Sequence, residues 1–407
     1  MRVLLITVDY PPTVKSAARL FSELADDLTE RGHHVSVLTS IPDRNLAEST
    51  TRKQRLYGRE TLNGVRVHRV SGLPIGRNIP IVRGLEQFIT AFVYLLIGVF
   101  IGRHQAVIVY SPPLPLGLTG YALARIWGGR VIVNVQDLYP QTVIDLGLLK
   151  SRALKAVAHW MERFVYRHAD AITVHSEGNL QYVVRRGASA ETVRVVHNWV
   201  DLDEVSPGPR DNQWRRDHGL EDTFVVSFAG TMGFAQGLED ILHIAHRLKE
   251  HEDIVFVMAG DGIFRQDLQD QAEAKGLTNV RFVPTQPPKE YVELLRASDV
   301  CLVPLSKDLK TPVVPGKLQS IMAAGRPAIC WADPASDARQ LIADANCGSF
   351  FPAGRHDHIA QAILELYRAN GMAAEKGRNG RDYAEAHFGR EGSTRIYDEL
   401  IALGGGD

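Results

Sequence analysis

The chain has 407 residues, 45% hydrophobic and 23% charged, with a net charge of −1. That is ordinary for a folded protein with enough chain for two buried cores. Its three cysteines, Cys301, Cys330 and Cys347, are too few and too scattered for a disulfide framework or a zinc site, and their apolar flanks read as buried free thiols in a reducing compartment. Residues 1–130 hold 16 Lys/Arg against 9 Asp/Glu, and the remainder 30 against 38. A basic first third suits an anionic partner, with a solvated basic surface as the bland alternative.

The opening MRVLLITVDYPP reads as a buried parallel strand over residues 2–8 followed by a turn, without the cleavage pattern of a signal peptide. A helix with an apolar stripe at Leu20, Leu24 and Leu28 runs to Arg31, Gly32 ends it, and His34–Thr39 is the second strand of a βαβ unit. The first turn lacks the G-x-G-x-x-G of a nicotinamide or flavin site, leaving Lys15 and Ser16 at the helix start to meet an anion. Residues 41–80 are polar and basic, including Arg52, Lys53, Arg55 and Arg59, and read as a long loop with one strand at Val65–Val70.

The most apolar run follows, Phe88–Gly102, with 15 uncharged residues flanked by Arg77, Arg83 and Arg103. It is short of the roughly 20 residues of a membrane span. We expect a helix over about 84–103 that dips into an anionic membrane interface, or else a buried core helix. Strands at Ala106–Tyr110 and Val131–Val135 bracket a helix at Gly117–Trp127. Gln136 and Asp137 then stand at a strand's carboxyl end, where ligands bind in open α/β sheets. A helix near Leu154–His168, a strand at Ala171–His175, a helix from Glu177 and a strand at Val193–His197 complete the first half, and Asn198–Pro209 reads as the linker.

The second half repeats the α/β pattern. Strands at Phe224–Ala229, Ile254–Ala259, Val280–Val283 and Val300–Pro304 alternate with helices at Leu238–Glu250 and Lys289–Ala297. Three turns hold glycine at strand ends: Gly230, Gly233 and Gly237; Gly260 and Gly262; and Gly316 before Lys317. Glycine there lets a backbone approach a ligand closely, and together the three turns point to a phosphate-bearing ligand. The Pro312–Pro315 loop feeds a short helix from Gly316, whose free N–H groups and dipole suit a phosphate within reach of Lys317. Residues 359–403 read as helical, with a frayed GGGD end.

The stretches RGHHVSVLT, NVQDLYP, VVHNWVD, FAGTMGFAQGLEDIL, AGDG, ASDVCLVPL and PGKLQSIMAAGRP together resemble retaining glycosyltransferases of family 4, over nearly the whole chain. YSPPLPLG and VQDLYPQTVIDLG resemble the subgroup that builds bacterial surface polysaccharides, including N-acetylfucosamine and fucose transferases. The resemblance implies the GT-B fold, two Rossmann-like domains with parallel sheets facing a cleft. Residues 1–200 would hold the acceptor, 210–385 the nucleotide-sugar, and a helix in 386–407 would cross back onto the first domain. It implies sugar transfer from a nucleoside-diphosphate sugar, most readily a UDP-linked N-acetylhexosamine, to a polyprenyl-diphosphate-linked or glycan acceptor. No cofactor, metal or nucleic acid is expected, and the place expected is the cytoplasmic face of the plasma membrane.

Asp137 and Lys317 are the catalytic candidates. Lys15, Ser16, Gln136, Gly230, Thr231, Gly233, Gln236, Gly260, Gly262, Pro284, Gly316, Gln319 and Ser320 are the substrate-binding candidates. The sequence departs from the family where two glutamates eight apart are Pro312 and Ser320, and where an arginine and a lysine on the diphosphate are Thr231 and Gln236. Lys317, the amides near Gly233, and Ser320 or Gln319 are the expected replacements. A nucleotide-sugar 2-epimerase and a non-catalytic nucleotide-sugar-binding scaffold are the competing readings.

Overall fold

The computed structural model describes the chain except residues 14, 43–55, 72–79, 370 and 404–407, and the side chains of 80–85. Arg52, Lys53, Arg55, Arg77, the Arg83 side chain and the GGGD end therefore lie outside the described residues. Contacts divide the chain into two compact units. The first comprises Met1–Ile144, Leu149–Asn198 and Glu391–Asp407, and the second Asp145–Leu148 and Trp199–Arg390.

The first half runs β1 (Arg2–Ile6), α1 (Ser16–Glu30), β2 (His34–Ser40), β3 (Tyr57–Leu62), β4 (Val65–Val70), α2 (Pro80–Ile101), β5 (Ala106–Ser111), α3 (Pro115–Trp127), β6 (Arg130–Val135), α4 (Gln141–Asp145), α5 (Arg152–His168), β7 (Ala171–Val174), α6 (Glu177–Arg185) and β8 (Val193–Val195). The strands form one sheet in the order β3-β4-β2-β1-β5-β6-β7-β8. Every pair is parallel except β3 with β4. Val3 to Ile6 are buried on both faces, which is what a parallel sheet covered by helices demands. Helix α1 lays Leu20, Leu24 and Leu28 on the core, and Gly32, at φ +87°, turns the chain out of it.

The expected loop before Val65 contains strand β3. It is an exposed edge strand tied to β4 by the two-residue turn Asn63-Gly64, both residues at positive φ. Asn-Gly is the dipeptide that such a hairpin turn favours.

Helix α2 is longer than its apolar run and packs on α3. Gly98 lies so close to Leu123 that a Cβ there would come within 2.5 Å of Leu123 Cδ1, and Thr119 Oγ1 donates to Ala91 O at 2.8 Å. Ala91 and Tyr94 are buried, whereas Phe88, Phe92, Leu96, Val99 and Phe100 are exposed. No helix among the described residues is long and apolar enough to cross a membrane.

The second half runs α7 (Gln213–Asp217), β9 (Phe224–Ala229), α8 (Glu239–Arg247), β10 (Ile254–Ala259), α9 (Arg265–Ala274), β11 (Val280–Val283), α10 (Pro288–Ala297), β12 (Val300–Pro304), α11 (Gly316–Ala323), β13 (Ala328–Ala332), α12 (Ala338–Ala345), β14 (Gly348–Pro352), α13 (His356–Arg368), α14 (Met372–His387) and α15 (Arg390–Ala402). Its sheet is parallel throughout, in the order β11-β10-β9-β12-β13-β14. The sequence reading passed over α12 and the half-exposed β14. All three cysteines are free and buried.

Helix α15 is held in the first unit by polar contacts. Tyr397 Oη accepts from Asn134 Nδ2 at 2.7 Å and lies 2.9 Å from Thr173 Oγ1, and His33 Nε2 lies 2.7 Å from Asp398.

Candidate active site

In an open α/β sheet the ligand crevice opens where neighbouring strands lead their connections in opposite directions. In the second unit that point lies between β9 and β12. The loops that follow these strands touch there. Ser306 N donates to Ala235 O at 2.8 Å, and a Cβ on Gly237 would sit 3.1 Å from Ser306 Cα.

Helix α11 adds the cation. Leu318, Ile321 and Met322 are buried, and each contributes roughly 1.5–3 kcal/mol of burial that fixes the helix on the sheet. Lys317, the second residue of α11, then points back over β9. Its Nζ lies 4.5 Å from the Phe228 ring centroid, and a Cβ on Gly230 would meet its Cε at 2.3 Å. The bare backbone of Gly230, at φ +146°, is what leaves room for the lysine stem. The ammonium has no ion-pair or hydrogen-bond partner among the described residues, and desolvation lowers its pKa to about 8. Beside it Gln319 is 4% exposed, and its side-chain amide also lacks a hydrogen-bond partner among the described residues. Gly316 is exposed and Ser320 half-buried on the same helix.

Several candidates do other work. A Cβ on Gly260 would lie 1.9 Å from Gly230 O, and one on Gly262 2.3 Å from Met232 O. Both glycines, at φ +144° and +152°, make room for the neighbouring loop. Gly233 N donates to Gln236 Oε1 at 3.2 Å, so the amide expected to meet a diphosphate and the Gln236 side chain hold each other within the turn. Thr231 is exposed in that loop. Pro284 sits after the edge strand β11, with β10 between it and β9, and its carbonyl accepts from Gln286 Nε2 at 2.9 Å.

A cation the sequence reading missed is Arg265 at the start of α9. Its guanidinium donates to the carbonyls of Gly260 and, at 2.8 Å, Val283. Its place three residues after Gly262 was the available signal.

In the first unit the corresponding point lies between β1 and β5. Lys15, expected to meet an anion, is exposed and already paired with Asp9, at 2.9 and 3.1 Å from the two carboxylate oxygens. Ser16 is exposed as the first residue of α1. Gln136 is tied into an amide pair with Asn198, at 3.0 and 2.9 Å, and also donates to Asn134 Oδ1 at 2.7 Å. Its amide thus closes a network with Asn134 and Asn198.

Asp137 reaches solvent at the end of β6, yet the protein packed around it raises its carboxyl above the ordinary value. Burial, with the charges of Asp137 and Asp9 added, pushes the nearby Tyr110 hydroxyl well up. His175, at the end of β7, is buried beside the Val196 and Gln136 backbones and stays neutral, its pKa lowered to about 4 by desolvation. Among the described residues no group of three or more His, Cys, Asp or Glu is placed to hold a metal.

This geometry agrees with what the chain is similar to. Residues 17–199 match the family model described as a glycosyl transferase 4-like domain, and residues 210–383 match glycosyl transferases group 1. WcaI of Escherichia coli, named for glycosyl transfer in colanic acid biosynthesis, is 24% identical over 98% of both chains. Sucrose-phosphate synthase of Thermosynechococcus elongatus superposes with a TM-score of 0.79 at 18% identity, over 99% of this chain and 100% of that one. Anabaena HepE, solved in complex with UDP, gives 0.73 at 16% identity over 99% and 100%. With two Rossmann-like units of parallel sheet and family matches spanning both halves, the chain belongs to the GT-B glycosyltransferases, a 4-like domain followed by a group 1 domain.

Proposed function

We propose that this glycosyltransferase moves a sugar from a nucleoside-diphosphate sugar, of the UDP-N-acetylhexosamine type, to a lipid-diphosphate-linked or glycan acceptor in cell-surface polysaccharide synthesis, with retention at the anomeric carbon. The observation that carries the reading is Lys317, a desolvated ammonium with no partner among the described residues, at the switch point of the second sheet against Gly230. A partly exposed cation that the surrounding protein desolvates, with no counter-ion beside it, is a setting that an anion completes. The polysaccharide assignment leans on the likeness to WcaI, and the uridine base on the UDP held by HepE.

The chemistry follows from charge. As the bond from the anomeric carbon to the diphosphate breaks, negative charge collects on the leaving oxygens. Lys317 and the N-terminal end of α11 stabilise that charge electrostatically. The acceptor oxygen forms its new bond on the same face of the sugar, and its proton passes to the departing phosphate. No side-chain nucleophile enters. Asp137 orients the donor sugar or the acceptor hydroxyl, and Gln319 meets the polar part of the donor. The exposed apolar stripe of α2 rests on the inner face of the membrane, where a polyprenyl-linked acceptor is found.

Thermal shift against UDP, GDP, UDP-N-acetylhexosamines and NAD tests the donor. A rise with one nucleoside diphosphate and its sugar is expected. No rise with any nucleoside diphosphate, in a folded sample, would move the scaffold reading ahead. Asp137→Asn is expected to lower turnover while leaving nucleoside-diphosphate affinity unchanged. Equal turnover would remove Asp137 from the site.

A further inference from the structure

A second site lies at the C-terminal end of α2, away from the strand ends described above. A cavity of about 340 Å³ opens there between Arg59, Arg66, Tyr57 and His68 on one side and Phe100 and Ile101 on the other. The hairpin makes the polar wall. Pairing of Arg59 with His68, Thr61 with Arg66 and Tyr57 with Val70 puts these side chains on one face of the sheet. Glu60 belongs to the opposite face, where it holds Arg69 at 2.5 Å. The lining therefore carries two guanidiniums and no carboxylate.

Neither Arg59 nor Arg66 has an ion-pair or side-chain hydrogen-bond partner among the described residues, and both are exposed. Tyr57 Oη and His68 Nδ1 hold each other at 2.6 Å. Burial together with the two arginines keeps the His68 imidazole neutral, its pKa lowered to about 4, so the positive charge of the cavity is that of the guanidiniums.

The apolar wall continues outward. Phe100 is 88% exposed, and Leu96, Phe92 and Phe88 follow at four-residue steps along α2, all exposed. One helical stripe about 18 Å long thus runs out from a doubly basic cavity. A free inorganic anion would use the arginines and leave the stripe bare. A zwitterionic phospholipid would use the stripe and bring a phosphate, but its own ammonium would add to the two guanidiniums. A phospholipid whose headgroup is net negative meets both the stripe and the charge.

We propose that this cavity takes the phosphate headgroup of an anionic phospholipid, with Arg59 and Arg66 on the phosphate and the acyl region along Phe100, Leu96 and Phe92. The proposal rests on the membrane-facing reading of α2 and names the lipid it selects.

The test has two arms on the full chain. In the first, sedimentation with phosphatidylcholine vesicles is compared with sedimentation on vesicles doped with phosphatidylglycerol. We expect roughly 10- to 30-fold tighter binding to the doped vesicles, the scale of two basic residues at an anionic surface. Arg59→Gln with Arg66→Gln is expected to abolish that preference while the thermal shift with nucleoside diphosphate is kept, which shows the variant is folded. A preference unchanged in the double variant overturns the proposal.

The second arm removes the membrane. Calorimetry measures dihexanoyl-phosphatidylglycerol and inorganic phosphate against the wild type and the double variant. Arginine-dependent binding of the short-chain lipid supports the cavity even if the wild type ignores all vesicles, in which case only the membrane-facing reading of α2 fails. Inorganic phosphate binding as tightly as the lipid overturns the lipid assignment. Failure of the short-chain lipid to bind, with no vesicle preference in the wild type, overturns the site.

Discussion

The two switch points use the same architecture and treat charge in opposite ways. In the first unit the cation after β1 is spent inside the protein, Lys15 on Asp9, and Gln136 is closed in a pair with Asn198. In the second unit Lys317 stands over Phe228 with no partner among the described residues, and Gln319 beside it has none either. A residue type at a strand end is thus weak evidence for anion binding. A cation that the surrounding protein desolvates and leaves without a counter-ion is stronger evidence, because an anion would restore the solvation it has lost.

The glycines differ in the same sense. Gly260 and Gly262 bear on the next loop's carbonyls, whereas Gly32 in the first unit meets nothing within 4 Å.

The largest way to break this comparison is Gly260→Ala. Its Cβ would need space occupied by Gly230 O at 1.9 Å, with φ at +144°. We expect more than about 3 kcal/mol of destabilisation in urea unfolding. Gly32→Ala, strained only in its backbone, should cost about 1 kcal/mol. Equal costs would mean that the crowding of the two loops is not what constrains Gly260.

Next in size is Lys317→Met, which keeps the stem over Phe228 and removes the charge. Nucleoside-diphosphate affinity should fall roughly 10- to 100-fold, the scale of a charge-assisted contact, with stability unchanged or raised. Lys15→Met should change it less than about twofold, since an exposed ion pair contributes little.

Tyr397→Phe is a control on the first unit. It removes the hydroxyl that joins Asn134 and Thr173 to α15, and should cost about 1–2 kcal/mol without touching nucleotide affinity.

A smaller effect than that of Lys317→Met is expected from pH. Lys317 titrates near 8 when free, and a bound diphosphate raises that value. The charge contribution to binding is therefore full below pH 8 and lost as pH rises through the bound pKa. Affinity should drop about fourfold between pH 7 and 8.5, with proton uptake on binding. In Lys317→Met the profile should be flat over that window.

The sequence was legible where a strand is a short apolar run with a clear stop. Strands β9, β10, β11 and β12 have the bounds expected for them, because apolar runs closed by glycine, proline or a helix signal have one reading. Strand β3 was missed because YGRETL is an exposed edge whose alternation is mostly polar, although Asn63-Gly64 announced its turn. Strand β14, GSFFP, was passed over because its apolar run is only Phe350-Phe351.

Spacing put Gly230 and Lys317 forward as candidates, because a loop, a glycine and a helix start are local features, and the structure brings the two together. It could not tell that Asp9 neutralises Lys15, since that depends on how the intervening loop folds back. Nor could it tell that Gly260 and Gly262 press on the loop of Gly230 and Met232, since that contact joins turns about 30 residues apart in the chain.

The most direct test of the central claim is calorimetric titration of UDP and GDP into the wild type, Lys317→Met and Lys15→Met. The account predicts that one nucleoside diphosphate binds the wild type, that Lys317→Met loses roughly 10- to 100-fold of that affinity, and that Lys15→Met keeps it. Equal affinity in the wild type and Lys317→Met would contradict it, and would move the anion site away from the β9–β12 switch point.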